Sequence, residues 1–276
     1  MIRLSREIRF ALVSPTELKS QLANPDRKNS WAAWPITSRI VPQLRLSAVI
    51  EGEPDSVTGY LCNVTLIDEA LRRFVNDQLI PSLADTSVAE LPGAESILRQ
   101  AFQHLKGQTL DGAEPVSIRV HVSPFLSFSI NFGAPNMIQL THQFEFSAAH
   151  RLHCDSMSDE ENVATFGKCN NPAGHGHNYV VEVSVARENA DGSNEQVIEP
   201  GQLAEIVNRN VIAPLDHKNL NEDIEHFSNV NPSVENICAA VFGWLKGDIE
   251  SAGCKLTEVK IFETPKTLGK LSRVTE

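Results

Sequence analysis

The chain has 276 residues, 41% hydrophobic and 21% charged, with a formal charge of −11. That is a globular composition whose length suits one large domain or two of about 140 residues. Its acidity argues against general nucleic-acid binding, which needs a basic surface. No apolar run approaches the roughly 20 residues of a membrane-spanning helix, so no membrane partner is expected. The opening MIRLSREIRFALVS mixes charged with apolar residues and lacks the continuous apolar stretch of a signal peptide. Cys62, Cys154, Cys169, Cys238 and Cys254 are odd in number and form no C-x-x-C pair. Reduced thiols and a cytoplasmic location are expected.

In chain order, REIRFALVS (6–14) comes first, then DEALRRFVNDQLIPSL (68–83), PGAESILRQAFQHLKG (92–107) and VSIRVHVSP (116–124). After FGAPNM (132–137), where Gly and Pro punctuate the chain, the same order returns. THQFEFSAAH (141–150), QLAEIVNRNVIAPL (202–215), PSVENICAAVFGWLKG (232–247) and TEVKIFETP (257–265) resemble the four earlier segments in turn. Two homologous domains are predicted, 1–134 and 137–276. In the second, Phe144, Phe146 and Ala148 alternate as in a strand, as do Tyr179, Val181, Val183 and Val185. Ile237, Val241, Trp244, Leu245 and Ile249 recur at helical spacing, with Asn231-Pro232 offering a cap and a first-turn proline. Strand–strand–helix–helix–strand is an α+β unit, helices covering one face of an antiparallel sheet.

Reactive groups gather in the second copy. His150 ends a strand, and His175 and His177, in GKCNNPAGHGHNY (167–179), precede the next. Period-two geometry sends the H-x-H side chains the same way, and three imidazoles leave a tetrahedral zinc one open position. A lone H-x-H is as well read as a solvated turn. The repeat decides for a metal: Ser14 stands in place of His150, and nothing in the first copy matches GHGH. Cys169 can be a fourth ligand, which would close the site, an inert loop residue, or a thiolate base or nucleophile. The other cysteines are expected to be inert, with Cys238 packing on a helix and Cys154 close to His150 and His153. Asp216 beside His217 reads either as a polar loop or as a pair poised for proton transfer. Glu263 ends the apolar row of Val259 and Ile261, where a carboxylate needs a partner such as a ligand's N–H groups. Its counterpart is Val122.

FSAAHRLHCDSMSDEEN, FGKCNNPAGHGHNY, PLDHKNL, PSVEN and FETP, in this order over 144–265, closely resemble the 6-pyruvoyl tetrahydropterin synthase family of zinc lyases. The resemblance implies a T-fold, so the chain would hold two tandem T-fold domains, each an antiparallel four-stranded sheet with two helices. It also implies a homo-oligomeric barrel with active sites at subunit interfaces. It makes His150, His175 and His177 the ligands of Zn2+, Cys169 the proton-abstracting base, Asp216 and His217 its triad partners, and Glu263 the pterin anchor. The implied substrate is 7,8-dihydroneopterin triphosphate and the product a 6-pyruvoyl pterin. A 6-carboxy product, as in the 7-deazaguanine branch, is the alternative, and a non-catalytic pterin- or zinc-binding scaffold the rival from another class. The first copy departs from the family: it keeps the packing and lacks the site, which suggests a role in assembly. Lys168 and Arg151 are candidate partners of the triphosphate.

Overall fold

Alternating apolar side chains set the strands. The structure, a computed structural model, describes residues 1–13, 16, 40–83, 90–188 and 197–273. These form two compact units, one of residues 1–138 and one of 139–187 with the segment from 197 onward. Ser14 lies outside the described residues.

In the first unit, β1 (Ile2–Ala11) pairs antiparallel with β2 (Gln43–Gly52), β2 with β3 (Glu114–His121), and β3 with β4 (Leu126–Asn131). Leu44, Leu46, Ala48 and Ile50 are all buried, one face of a half-buried strand. Helix α1 (Val64–Arg73) starts where the Asn63 side chain accepts from Thr65 N–H. It buries Ile67, Ala70 and Leu71 and packs on β1 and β2. Helix α2 (Ala94–Leu105) buries Ile97, Leu98, Ala101, Phe102 and Leu105 and packs on β3 and β4.

In the second unit, β5 (Ala134–His150) neighbours β6 (His175–Glu188), which pairs antiparallel with β8 (Lys255–Thr264), itself paired with β9 (Thr267–Ser272). A two-residue strand β7 (Lys218–Asn219) lies parallel to β5 at Ala148 and Ala149. Helices α3 (Asp159–Phe166), α4 (Pro200–Val207) and α5 (Val234–Ser251) complete the unit. The core is aliphatic and branched: Val181, Val183, Val185, Leu245, Val259 and Ile261 are fully buried. Gly269 has a packing reason, since a Cβ there would lie 2.8 Å from the Val234 carbonyl oxygen. Sheets and helices segregated in this way make an α+β fold.

Two irregularities occur at matching places in the units. Helix α1 runs into a π turn, Phe74–Leu79, just before Pro81, and α4 into one, Asn208–Ile212, just before Pro214. Proline cannot donate to the carbonyl four residues back and its ring collides with it, so a widened turn accommodates it. The pairing register also slips between Val49 and Ile50 in the first unit and between Ser184 and Val185 in the second.

The structure refines several expectations. The division between units falls at Ile138/Gln139, inside a 17-residue β5, a few residues past the Gly-Pro joint. Helix α5 is capped by Ser233, whose side chain accepts from Asn236 N–H, with Pro232 before the cap. The H-x-H pair opens β6 and does not precede it.

Candidate metal centre and active site

His150 is the last residue of β5, and alternation places it in the buried row with Phe146 and Ala148. On neighbouring β6, His175, His177 and Tyr179 share one face. Gly174, at φ 69°, lets the chain turn beneath them, and a Cβ there would stand 3.1 Å from the His150 carbonyl oxygen.

The His150 ring is fully buried. Its Nδ1–H donates to the Pro232 carbonyl at 2.8 Å, leaving the Nε2 lone pair free, the usual outer support of a metal-bound histidine. That Nε2 lies 3.1 Å from His175 Nε2. One nitrogen from each of His150, His175 and His177 falls within 4.8 Å of the others. Nitrogens about 2.0–2.1 Å from a shared tetrahedral ion stand about 3.3 Å apart, so this spacing suits a common ion. His175 Nδ1 and His177 Nε2 are buried without a hydrogen-bond partner among the described residues, and such atoms are costly unless something satisfies them. Burial pushes the pKa of His150 and of His177 down, partly opposed by the Pro232 bond at His150 and by Glu263 at both. The neutral, ligating form is thereby favoured.

Glu263 follows Val259 and Ile261 in the inward row of β8, at a bulge between Phe262 and Thr264 that re-aims its side chain. Its carboxylate is 15% exposed, with Oε1 3.4 Å from His150 Nε2 and 3.6 Å from His177 Nε2. Cys169 sits in a single 3-10 turn, Gly167–Asn170, where its carbonyl accepts from Leu152 N–H at 2.8 Å. Burial, then the Glu263 charge, pushes the Cys169 thiol up. Tyr179 reads from the sequence as one more apolar strand position. The structure stacks its ring on Phe146 and sets it edge-on to His177, with the hydroxyl buried and unpartnered among the described residues.

Asparagines pin the loop between His150 and Cys169. Asn221 grips the Arg151 backbone at both ends, accepting from its N–H at 2.7 Å and donating to its carbonyl at 3.0 Å. Asn170 donates to the Leu152 carbonyl at 2.7 Å. Fully buried Asn162 accepts from Cys154 N–H and donates to the carbonyls of Cys154, Met157 and Ser158. Asn162→Ala strands these groups, so a loss of about 1–3 kcal/mol is expected in urea unfolding.

Asp216 and His217 lie against Ser147 of β5. Asp216 accepts from Ser147 N–H at 2.8 Å and from His217 Nδ1–H at 2.8 Å, bonds that hold its carboxyl below the usual range. The His217 ring is 82% exposed and its backbone is left-handed, φ 58°. His217 borders a cleft of about 490 Å³ whose lining also includes Ser147, Ala149, Gly176, Asn178 and His177 of the histidine cluster. No hydrogen bond joins His217 to Cys169 among the described residues. The Arg151 guanidinium is tied to the Asn170 carbonyl and to His153 Nδ1, and Lys168 is exposed.

A three-histidine cluster with an open position, a thiol and a carboxylate beside it, on an α+β scaffold, has the make-up of a catalytic metal centre. The sequence profile described as "6-pyruvoyl tetrahydropterin synthase" matches residues 139–273. The chain is 42% identical to a Drosophila melanogaster 6-pyruvoyl tetrahydrobiopterin synthase over 47% of this chain and 76% of that one. Against the Homo sapiens protein of the same name, identity is 40% over 46% of this chain and 85% of that one. A solved Caenorhabditis elegans 6-pyruvoyl tetrahydropterin synthase aligns with TM-score 0.45 and 36% identity, covering 50% of this chain and 96% of that one. The chain belongs to the 6-pyruvoyl tetrahydropterin synthase family.

Proposed function

We propose that this chain is a zinc-dependent lyase that eliminates triphosphate from 7,8-dihydroneopterin triphosphate and leaves 6-pyruvoyl-tetrahydropterin. The convergence of His150, His175 and His177 on one point, with Glu263 against it, carries the reading. The identity to the Drosophila melanogaster and Homo sapiens synthases supports it. The three imidazoles, with the orphaned nitrogens of His175 and His177, fit zinc, which when bound would polarise the substrate's side-chain oxygens and acidify the adjacent C–H.

The chain's own groups do the rest. Glu263, held at the end of an apolar row, accepts hydrogen bonds from the pterin's guanidine-like edge and fixes the ring. Cys169 removes the substrate proton as thiolate. Asp216 holds His217 with Nδ1–H toward the carboxylate, leaving Nε2 free to give or take a proton. His217 is exposed and makes no hydrogen bond to its own Cys169 among the described residues, so we assign it to a site completed by a second subunit of a homo-oligomer.

We read the two units as tandem T-fold domains, 1–134 and 137–276, of which the first serves assembly. The paired π turns and register slips support this reading. Matching Leu46–Val120 to Val181–Ile261 sets Ile40 and Pro42 at the places of His175 and His177, and exposed Val122 at that of Glu263. Mass spectrometry of the products from dihydroneopterin triphosphate tests the function. A pyruvoyl pterin with free triphosphate is expected. A carboxy pterin would transfer the chain to the 7-deazaguanine branch, and no turnover by zinc-loaded protein would overturn the lyase reading.

A further inference from the structure

The strand pairing of the first unit's sheet gathers several cationic side chains on one face. Reading across the strands, Arg9 lies opposite Arg45 and Arg45 opposite His121; one pair further along, Glu7 lies opposite Ser47 and Ser47 opposite Arg119. Like charges directly opposite each other on a sheet repel. Glu7 is shared by Arg9 at 3.0 Å and Arg45 at 3.3 Å. Arg45 also donates to His121 Nδ1 at 3.1 Å, which leaves the His121 Nε2–H as a donor. No carboxylate among the described residues pairs with Arg119. Burial, then the charges of Arg45 and Arg119, pushes the His121 pKa down to about 4, with Glu7 opposing them.

The second unit shows what neutralises such a face. Lys260 lies opposite Glu182 and bonds it at 2.6 Å, and it also reaches Glu258 at 3.0 Å, which in turn takes Lys270 at 2.7 Å. Glu182 and Glu258 sit two residues apart in the pairing, just before the register slip. At the same places before its own slip, the first unit has Ser47 and Ser117, opposite Arg119 and Val49. Both carboxylates are replaced by short hydroxyls. Positive charge is thereby left without these two carboxylates, in a chain whose net charge is −11.

We propose that Arg45, Arg119 and His121, with the Ser47 hydroxyl, form a binding site for a phosphate-class oxyanion on the first unit. Guanidinium forks match tetrahedral oxyanions bidentately, and the hydroxyl and imidazole N–H supply further donors. The site uses no residue of the metal centre and stands independently of the lyase reading.

The test is calorimetric titration of the full chain with inorganic phosphate and, in parallel, inorganic triphosphate. Saturable binding is expected, weakened by added salt and about tenfold weaker or worse in Arg119→Gln and in Arg45→Gln. Arg6→Gln, whose guanidinium is engaged by Asp68, and His175→Ala are both expected to bind as the parent does. Ser47→Glu restores the carboxylate found in the second unit, and it is expected to abolish binding while raising the anion-free melting temperature. Tighter triphosphate than phosphate would assign a polyphosphate chain; equal affinities would assign a single phosphoryl group. Absence of saturable binding, or binding lost in His175→Ala and kept in Arg119→Gln, overturns the site.

Discussion

Cys169→Ala is expected to remove turnover of dihydroneopterin triphosphate while zinc content and fold stay unchanged. A positioned acid–base group contributes about 10²–10⁴-fold, so kcat should fall by that order with KM nearly constant. The change is clean because the contact that places this residue, Leu152 N–H to the Cys169 carbonyl, belongs to the backbone. The pH profile of the parent carries a second arm. Burial and the Glu263 charge favour the protonated thiol, so the rate should climb through the alkaline limb as thiolate forms, and the limb should vanish in the variant. Atomic absorption on Cys169→Ala decides between the roles of the sulfur: zinc lost along with activity would make it a ligand and not a base.

How much of this was legible beforehand depends on whether a residue announces itself locally. His175, His177 and Cys169 share one loop-to-strand segment, so spacing alone groups them. His150 and Glu263 join only because β5, β6 and β8 are neighbours, and it was the repeat that marked both as unusual. The helices were legible from their apolar spacing, but their ends were not. Ser233 outcompeted Asn231 for the cap of α5 because its oxygen reaches Asn236 N–H. Strand β2 alternates as plainly as any, yet lacks the histidines that mark β6. Strand β9 buries only Gly269 and has no apolar rhythm to read. Tyr179 was hidden for the opposite reason: its ring belongs to the core pattern and only its hydroxyl to the site. The basic face of the first unit was invisible because Arg45, Arg119 and His121 come from separate strands, and only the pairing register sets Ser47 where Glu182 stands in the other copy.

His150→Ala is expected to have the widest effect of any single change in the metal centre, because His150 works at once as ligand and as core residue. Losing one of three ligands should empty the site at ordinary zinc concentrations, and activity should disappear with the metal. The replacement also leaves a hole where a fully buried ring stood and orphans the Pro232 carbonyl. Together with the lost ligand linkage, worth about 4 kcal/mol when metal is 1,000-fold above its dissociation constant, the fall in melting temperature should exceed that of chelator-treated parent. The metal-free proteins should also differ in their response to acid. In the parent, folded-state pKa values of His150 and His177 lie below those of the unfolded chain. The unfolded state therefore takes up protons first, and stability is lost as pH falls below about 6.5. With His150 gone, that acid slope should become shallower. Thermal unfolding of both proteins with chelator, between neutral pH and pH 5, measures the difference. Equal slopes would mean that His150 is not held neutral by its burial.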